Sequence, residues 1–548
     1  MIKPKKSIEK LEEYNQQKLS RNSFVRMDFN ENTVGCSEKV VKAIRKLDRG
    51  YFSIYPEYIG LNKNVASYCK AKENEIIVTN GSDAALKLII DSFVNKNEES
   101  IILNPSFAML EIFLKIAGAK IKKINYNDNF TFPAGKLLKT ITKKTRIILL
   151  CNPNNPTGTL ISRNNIIKIL NKAKNSAVVI DEAYYEFSKE TVKDLINKYE
   201  NLFVTRTLSK AFGLAGLRAG YVVSNKKNIQ ILKNVYGPFE VSSLTKIAME
   251  SALNDLNYMK KYVAEVKKNK KIIEKELQKL KIKIYPSKSN FILAKFRDSG
   301  VIKEALKEKN ILVRDMSKYP LLKNYLRITI GARKETKLFT EAIKDILKPA
   351  LIFDMDGVLV DVSNSYRTAI KKTAEFFTDS DVNYGEIQSY KNKLGFNNDW
   401  DLTEAITLSR GKNIKKANII RKFQNYYLGK NFNGLINNER WLLDKNLLKK
   451  LFKNYKLAIV TGRPRKEAEY TLKNNNTAKF FPVLIALEDI SRDKPDPEGI
   501  LKALDELKVE SAVYFGDTKN DEIAAKRAGV NFKFVSQKCK INFVEEEK

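Results

Sequence analysis

The chain contains no histidine. Imidazole is the usual proton shuttle near neutral pH and the commonest nitrogen ligand for metals. Its absence excludes Ser-His-Asp triads, Cys-His dyads and histidine-ligated metal centres. Cysteine is scarce too: Cys36, Cys69, Cys151 and Cys539 lie far apart and form no CxxC pair. That pattern fits reduced thiols in a cytoplasm and neither a disulfide framework nor a zinc site. No apolar run approaches the length needed to cross a bilayer. The opening stretch MIKPKKSIEKLEEYNQQKLS lacks the apolar centre of a secretory signal. A cytoplasmic protein without membrane contact is therefore expected. Gly/Ser-rich tethers, internal repeats and low-complexity segments are also missing.

Acidic residues are outnumbered, 63 against 99 Lys and Arg, for a net charge of +36. The basic residues are spread along the chain instead of gathering on one element, so no nucleic-acid partner is expected. Runs such as VKKNKKIIEK (266–275) read as a solvated helix face. The excess still steers phosphorylated, anionic substrates inward.

What is present is globular: 548 residues, 43% of them hydrophobic, enough for two or more domains. Short aliphatic runs recur as EIIVTNGSD (75–83), SIILNPSF (100–107), TRIILLCNPNNPTG (145–158), SAVVIDEAYYEF (176–187), NLFVTRTLSK (201–210) and LRAGYVVS (217–224). Runs without a polar face read as strands covered by helices on both sides. Most end in Gly, Pro, Asn, Asp or Lys, where an open α/β sheet places its ligands. A charged, helix-rich stretch over 226–280 precedes shorter strands in KIKIYP, NFILAKF, ILVRDM and YLRITIG. Residues 1–348 thus read as a large α/β domain with a smaller α+β lobe. ILKPALIFDMDGVLVD (346–361) then ends one helical pattern and opens a new buried strand. A second domain over 350–548 follows, expected close against the first because no flexible tether separates them.

In RTLSKAFGLAGLR (206–218), Lys210 sits just past a strand among small residues, placed to form a Schiff base with an aldehyde cofactor. Ser209 and Arg218 suit a phosphate, the arginine through charge-assisted hydrogen bonds. GSDAAL (81–86), with Ser82 and Asp83, opens a helix whose free N–H groups suit the same anion. Asp181 ends a strand where its charge would keep a pyridine nitrogen protonated. Tyr184 and Asn155 are suited to the ring's phenolate oxygen, and Phe107 to stacking on its face. Each has an ordinary structural reading by itself; their order and spacing point to pyridoxal phosphate.

A second series lies in ALIFDMDG (350–357), KLAIVTGR (456–463), RDKPDP (492–497) and AVYFGDTKND (512–521). Asp354 can attack phosphorus once Mg²⁺, a hard ion suited to carboxylate oxygens, bridges it to a phosphate. Asp356 can protonate the leaving alcohol and then activate water. Thr461 and Lys494 would hold phosphoryl oxygens. Asp517 and Asp521, with Asp354 and Asp356, make up the metal site.

Residues 1–348 resemble the fold-type I, class I/II pyridoxal-phosphate aminotransferases, specifically the histidinol-phosphate branch. FNENTVG (29–35), YP (55–56), GSD, NPNNPTG, DEAYYEF, TLSKAFGLAGLR and LRITIG match in order. The resemblance implies that Lys210 forms the imine and shuttles the proton, and that Arg327 holds the amino donor's carboxylate. It implies that Tyr55 reaches the cofactor phosphate of a second subunit, and so a homodimer. Three departures stand out: Phe107 replaces the usual tyrosine, Glu240 occupies a common amide position, and the N-terminal tyrosine motif of many relatives is not evident. Residues 350–548 resemble the haloacid-dehalogenase superfamily, subfamily IA-like: a Rossmann-like domain with a helical cap over about 362–450. The second aspartate of its DxD implies phosphoryl transfer. NNDWDLTEAI (397–406) reads either as a specificity segment or as a plain cap helix.

Together these imply two consecutive steps. Imidazole-acetol phosphate and L-glutamate would give L-histidinol phosphate and 2-oxoglutarate, and a phosphatase would then remove the phosphate. An alternative keeps both chemistries but changes the substrates, with the first domain a threonine-phosphate decarboxylase or another aminotransferase. A regulatory or nucleic-acid-binding protein would need an added helix-turn-helix or a degraded catalytic set, and the sequence has neither.

Overall fold

Uniformly apolar strands need cover on both faces, and the structure supplies it. The computed structural model describes residues 20–391, 398–509 and 512–535, together with 2, 4–5, 7–9 and 11. Cys539 and most of the first nineteen residues lie outside the described residues. The chain divides into two compact units, Met1–Lys344 and Asp345–Lys548.

In the first unit a seven-stranded sheet runs in the spatial order Ile76–Asn80, Ala219–Ser224, Leu202–Thr207, Ala177–Asp181, Thr145–Cys151, Glu99–Asn104, Lys120–Asn125. Only Ala219–Ser224 is antiparallel to its neighbours. The central strands Ala177–Asp181, Leu202–Thr207 and Ala219–Ser224 are buried along their whole length. The edge strand Lys120–Asn125, KIKKIN, is mostly solvent-facing. Its lysines blunt an edge that would otherwise invite pairing, and they hide the strand from a search for apolar runs.

A five-stranded mixed sheet forms the smaller lobe, in the order Val25–Met27, Ile311–Asp315, Tyr325–Thr329, Phe291–Lys295, Lys283–Tyr285. Helix Leu256–Lys279 packs by its buried Met259, Val263, Val266, Ile273 and Leu277. Lys267, Lys268 and Lys271, from the VKKNKK run, lie on its exposed side, as an amphipathic helix requires.

The second unit is a doubly wound parallel sheet in the order Val483–Ile485, Lys456–Val460, Ala350–Phe353, Ala512–Gly516, Asn531–Phe534. Its first strand in sequence lies at the centre, so the connections leave it in both directions. The crevice beyond its carboxyl end is where such sheets bind ligands. Val360–Asp361 pairs antiparallel with Arg440–Trp441. Helices Tyr366–Thr378, Tyr384–Lys391, Asp399–Ser409 and Lys416–Tyr427 lie between these two short strands. Helix Lys445–Asn454 leads back into the sheet at Lys456. Among the described residues no helix is long and apolar enough to cross a membrane.

Candidate active sites

In the first unit the candidate residues converge at the carboxyl ends of the central strands. Asp181 ends its strand opposite Thr205, and its Oδ1 accepts a hydrogen bond from the Thr205 hydroxyl at 2.9 Å. Burial pushes this carboxyl up to about 7, against the Thr205 bond. A protonated ring nitrogen alongside would restore the carboxylate. Lys210 donates from Nζ to the Phe29 carbonyl at 3.0 Å. Burial, assisted by the Arg327 charge, pulls its amine down to about 8.

Tyr184 is buried, accepts from Asn30 Nδ2 at 2.9 Å and meets Phe291 edge-on at 5.2 Å. Burial pushes its hydroxyl up to about 12. Asn155 Oδ1 accepts from Arg327 Nη1 at 2.7 Å, and Arg327 Nη2 donates to the Asp28 carbonyl. Phe107 caps helix Ala108–Ile116 at the end of strand Glu99–Asn104.

The phosphate-suited residues gather at one turn. Helix Gly81–Phe93 begins with Gly81, Ser82 and Asp83. Arg218 donates to Asp83 Oδ2 at 2.8 Å. A Cβ on Gly81 would lie only 2.7 Å from Arg218 Nη2, so the guanidinium closes over the bare helix terminus. Ser209 is buried and accepts from the Thr207 hydroxyl at 2.9 Å. An amine with a lowered pKa, a buried carboxylate and an arginine over a free helix N-terminus together fit pyridoxal phosphate. Tyr55 stands apart from this group. It is 72% exposed and stacks on Phe239 at 4.3 Å.

Two residues here have no role legible in the sequence. Asn30, with a left-handed φ of 57°, bonds Tyr184, Thr329 and Asn290 and so ties the FNENTVG loop to both lobes. Arg314 faces Arg327 across the antiparallel pair, which puts both side chains on one face of the lobe's sheet. Its guanidinium lies 5.6 Å from the Phe29 ring. Among the described residues no carboxylate forms an ion pair with it. FNENTVG and ILVRDM carried these positions, but only tertiary pairing gives them roles.

In the second unit Asp354 follows the central strand, and Asp517 and Asp521 follow its neighbour Ala512–Gly516. Each of the three offers an oxygen within 4.8 Å of the others. Three hard oxygen donors at this spacing fit a divalent cation. Lys494 Nζ donates to Asp354 Oδ1 and Asp521 Oδ1, both at 2.8 Å, and to the Tyr514 hydroxyl at 2.9 Å. Burial and the neighbouring carboxylates push Asp354 up to about 8, against the pull of Lys494. Burial and Asp521 push Asp517 up to about 7.

Asp356, expected in the same metal site, does not share the trio's side-chain spacing. Its carboxylate stands outside the trio because the Nε of the buried Arg463 holds it. Thr461 is buried at the end of strand Lys456–Val460. Asp354, Asp356, Thr461, Arg463, Lys494, Asp517 and Asp521 line one cavity of about 390 Å³. Arg367, Gln388, Lys391, Asn398, Asp399 and Trp400 form the wall supplied by the helical insertion. The 397–406 segment is therefore both helix and cavity wall, with Asn397 outside the described residues. Arg463 is the third residue whose role the sequence does not show.

Comparison with known proteins gives a family for each unit. Residues 22–346 match the family model Aminotransferase class I and II. The chain belongs to that family, whose members imply pyridoxal phosphate. Residues 351–535 match the model Haloacid dehalogenase-like hydrolase, so the chain also carries a hydrolase domain of that type. Among its relatives, the histidinol-phosphate aminotransferase of Thermoanaerobacter pseudethanolicus is 40% identical over 327 residues, covering 59% of this chain and 93% of that one. The crystal structure of the histidinol-phosphate aminotransferase from Clostridium acetobutylicum superposes with a TM-score of 0.55 at 26% identity, covering 58% of this chain and 98% of that one. The L-threonine-O-3-phosphate decarboxylase of Porphyromonas gingivalis gives a TM-score of 0.51, also at 26% identity, with the same coverage of 58% and 98%.

The lowered Lys210 pKa sets a pH dependence. The neutral amine is the reactive form, and its population grows as pH rises to about 8. In protein stripped of cofactor, the rate of pyridoxal-phosphate uptake, read by absorbance, should climb through that pH and then level. An unperturbed lysine would keep gaining towards about 10.4.

Proposed function

We propose that the first unit transaminates imidazole-acetol phosphate with L-glutamate, giving L-histidinol phosphate and 2-oxoglutarate. The second unit is proposed as a Mg²⁺-dependent phosphate monoesterase acting on small soluble esters, histidinol phosphate first among them. The names of the relatives support the first assignment. The observation that carries it is Arg314 opposite Arg327: two guanidinium groups on one face suit substrates bearing a carboxylate or a phosphate.

Pyridoxal phosphate, when bound, supplies an electron sink for the substrate's Cα electrons. Lys210 would provide the amine for its aldehyde and carry the proton to and from Cα. Asp181 would hold the ring nitrogen's proton. Tyr184 and Asn155 would bond the phenolate oxygen, and Phe107 would lie against the ring. Ser82, Asp83, Ser209, Arg218 and the helix terminus would form the phosphate pocket. Arg327 would grip the α-carboxylate and Arg314 the substrate's phosphate. Tyr55 and Phe239 stack at 4.3 Å and are exposed, as are Phe52, Ile54 and Ile59, which suits contact with a second copy, with Tyr55 reaching the partner's cofactor phosphate in a homodimer.

In the second unit Asp354, Asp517 and Asp521 would hold Mg²⁺, which neutralises charge between nucleophile and phosphate. Asp354 Oδ bonds to phosphorus as the ester P–O bond breaks, and Asp356 gives its proton to the leaving oxygen. Asp356 then takes a proton from water, whose oxygen attacks phosphorus and releases phosphate with the Asp354 carboxylate restored. Thr461 and Lys494 hold the non-bridging oxygens. The unpaired thiols of Cys36, Cys69 and Cys151 support a cytoplasmic setting. A second reading, favoured by the likeness to the P. gingivalis decarboxylase, makes the first unit release CO₂ from threonine phosphate; assaying CO₂ from that compound separates the two.

Given histidinol phosphate and Mg²⁺, wild-type protein should release inorganic phosphate, and Asp354→Asn should release none; a silent wild type would end the phosphatase assignment for this ester. A Cβ on Gly357, whose φ is +76°, would sit 1.9 Å from Asp517 Oδ2. Gly357→Ala should therefore displace that ligand and raise the Mg²⁺ concentration for half-maximal phosphatase activity by about tenfold or more, in line with disturbed metal shells. Arg314→Gln should raise the KM for the phosphorylated oxo substrate by about tenfold to a hundredfold, the worth of one charged hydrogen bond. The half-reaction with glutamate should change little, as measured by stopped-flow absorbance.

A further inference from the structure

We infer that Arg463 is the positioning residue for Asp356, holding that carboxylate where it meets the leaving oxygen. The inference rests on the phosphatase reading above. Arg463 lies between strand Lys456–Val460 and helix Arg465–Asn474. Its side chain is 1% exposed, and it heads the large side chains buried this fully among the described residues. A guanidinium is kept out of water only where its neighbours compensate it.

Those neighbours fall into two groups. Nη1 donates to Glu439 Oε2 at 3.0 Å, Thr471 Oγ1 at 3.2 Å and the Tyr427 hydroxyl at 3.3 Å. The Tyr366 ring lies 4.9 Å below the guanidinium carbon. The Glu439 side chain is itself only 3% exposed. This sealed carboxylate is enough to neutralise Arg463. On the other side Nε donates to Asp356 Oδ1, and the Asp356 side chain is 32% exposed and faces the cavity.

Glu439 alone meets the formal charge of the guanidinium, and Asp356 adds a second carboxylate against it. This second contact serves Asp356, whose side chain would otherwise be free to turn towards solvent or the metal trio. Glu439, Thr471 and Tyr427 clamp the guanidinium, so the carboxylate it grips is fixed relative to Asp354. Misplacing a reacting group by about 1 Å can cost about a hundredfold in rate. Arg463 thus acts through Asp356 and touches no reacting atom in this role.

In the first step the reaction needs Asp356 only as far as the leaving oxygen needs a proton. The ratio kcat/KM reports that step apart from the later activation of water, which is common to every ester. The full chain, as wild type and as Arg463→Lys, should be assayed with Mg²⁺ on 4-nitrophenyl phosphate and phenyl phosphate. Nitrophenolate departs readily without a proton, whereas the phenyl leaving group resembles a tyrosine phenol with a pKa of about 10. Lysine keeps the charge but loses the planar fork. The fall in kcat/KM on phenyl phosphate should exceed that on 4-nitrophenyl phosphate by about tenfold, within the range that general-acid catalysis contributes, with losses compared as kcat/KM throughout. Turnover of the nitrophenyl ester itself reports a folded site. Equal losses on both esters would mark a purely structural arginine and overturn the inference, as would no loss on either. A wild type inert on both esters would remove the phosphatase reading and this role with it.

Discussion

Asp181 and Asp354 each close a fully buried strand, where neither carboxylate has bulk water to solvate it. An isolated carboxylate there is so costly that it takes up a proton or acquires a partner. The rest of both sites follows from that demand. Around Asp354 the answer is Lys494, shared with Asp521 and Tyr514, and a cluster of oxygens that a divalent cation would complete. Around Asp181 the protein provides a threonine hydroxyl, a thiol at 3.7 Å and the Ala183 backbone N–H. Full compensation is left to a cationic ring. In both units a bound cationic group would supply charge that the fold has withheld.

The same constraint explains how chemistry proceeds without imidazole. A group that changes protonation near neutral pH can be made from an ordinary lysine by removing water from it, as at Lys210, or from a carboxyl by the same means. Parallel strands help because their carboxyl ends lie together in a protected crevice. Side chains far apart in sequence, Thr205 and Asp181 or Asp354 and Lys494, meet there without long excursions of the backbone. Buried strand ends replace the missing residue type.

Much of this architecture could be read from residues alone, because a strand buried on both faces leaves an apolar run with a polar stop. Asp181, Lys210, Asp354 and Asp517 all lie at such stops. The edge strand Lys120–Asn125 escaped notice because its lysines face solvent and break the pattern. Asn30 and Arg314 escaped for a different reason. Asn30 meets Thr329 across 299 positions of sequence, and Arg314 gains meaning only by lying opposite Arg327. Asp356 reads as a side-chain ligand of the metal because it is close to Asp354 in the chain. The buried arginine that draws it aside comes from a strand end 107 residues further on, beyond the reach of local spacing.

The short pairing of Val360–Asp361 with Arg440–Trp441 has a further consequence. It brings the exit from the sheet and the return to it side by side, so the helices between them form a detour with adjacent ends. A detour of that kind can be lengthened, shortened or exchanged while the strands and their aspartates stay in register, since insertions are tolerated where entry and exit points are close. Lys391 and Trp400 could change along with it, leaving Asp354, Lys494 and Asp517 untouched. New preferences could then arise by transplanting one wall of the chamber onto an unaltered floor.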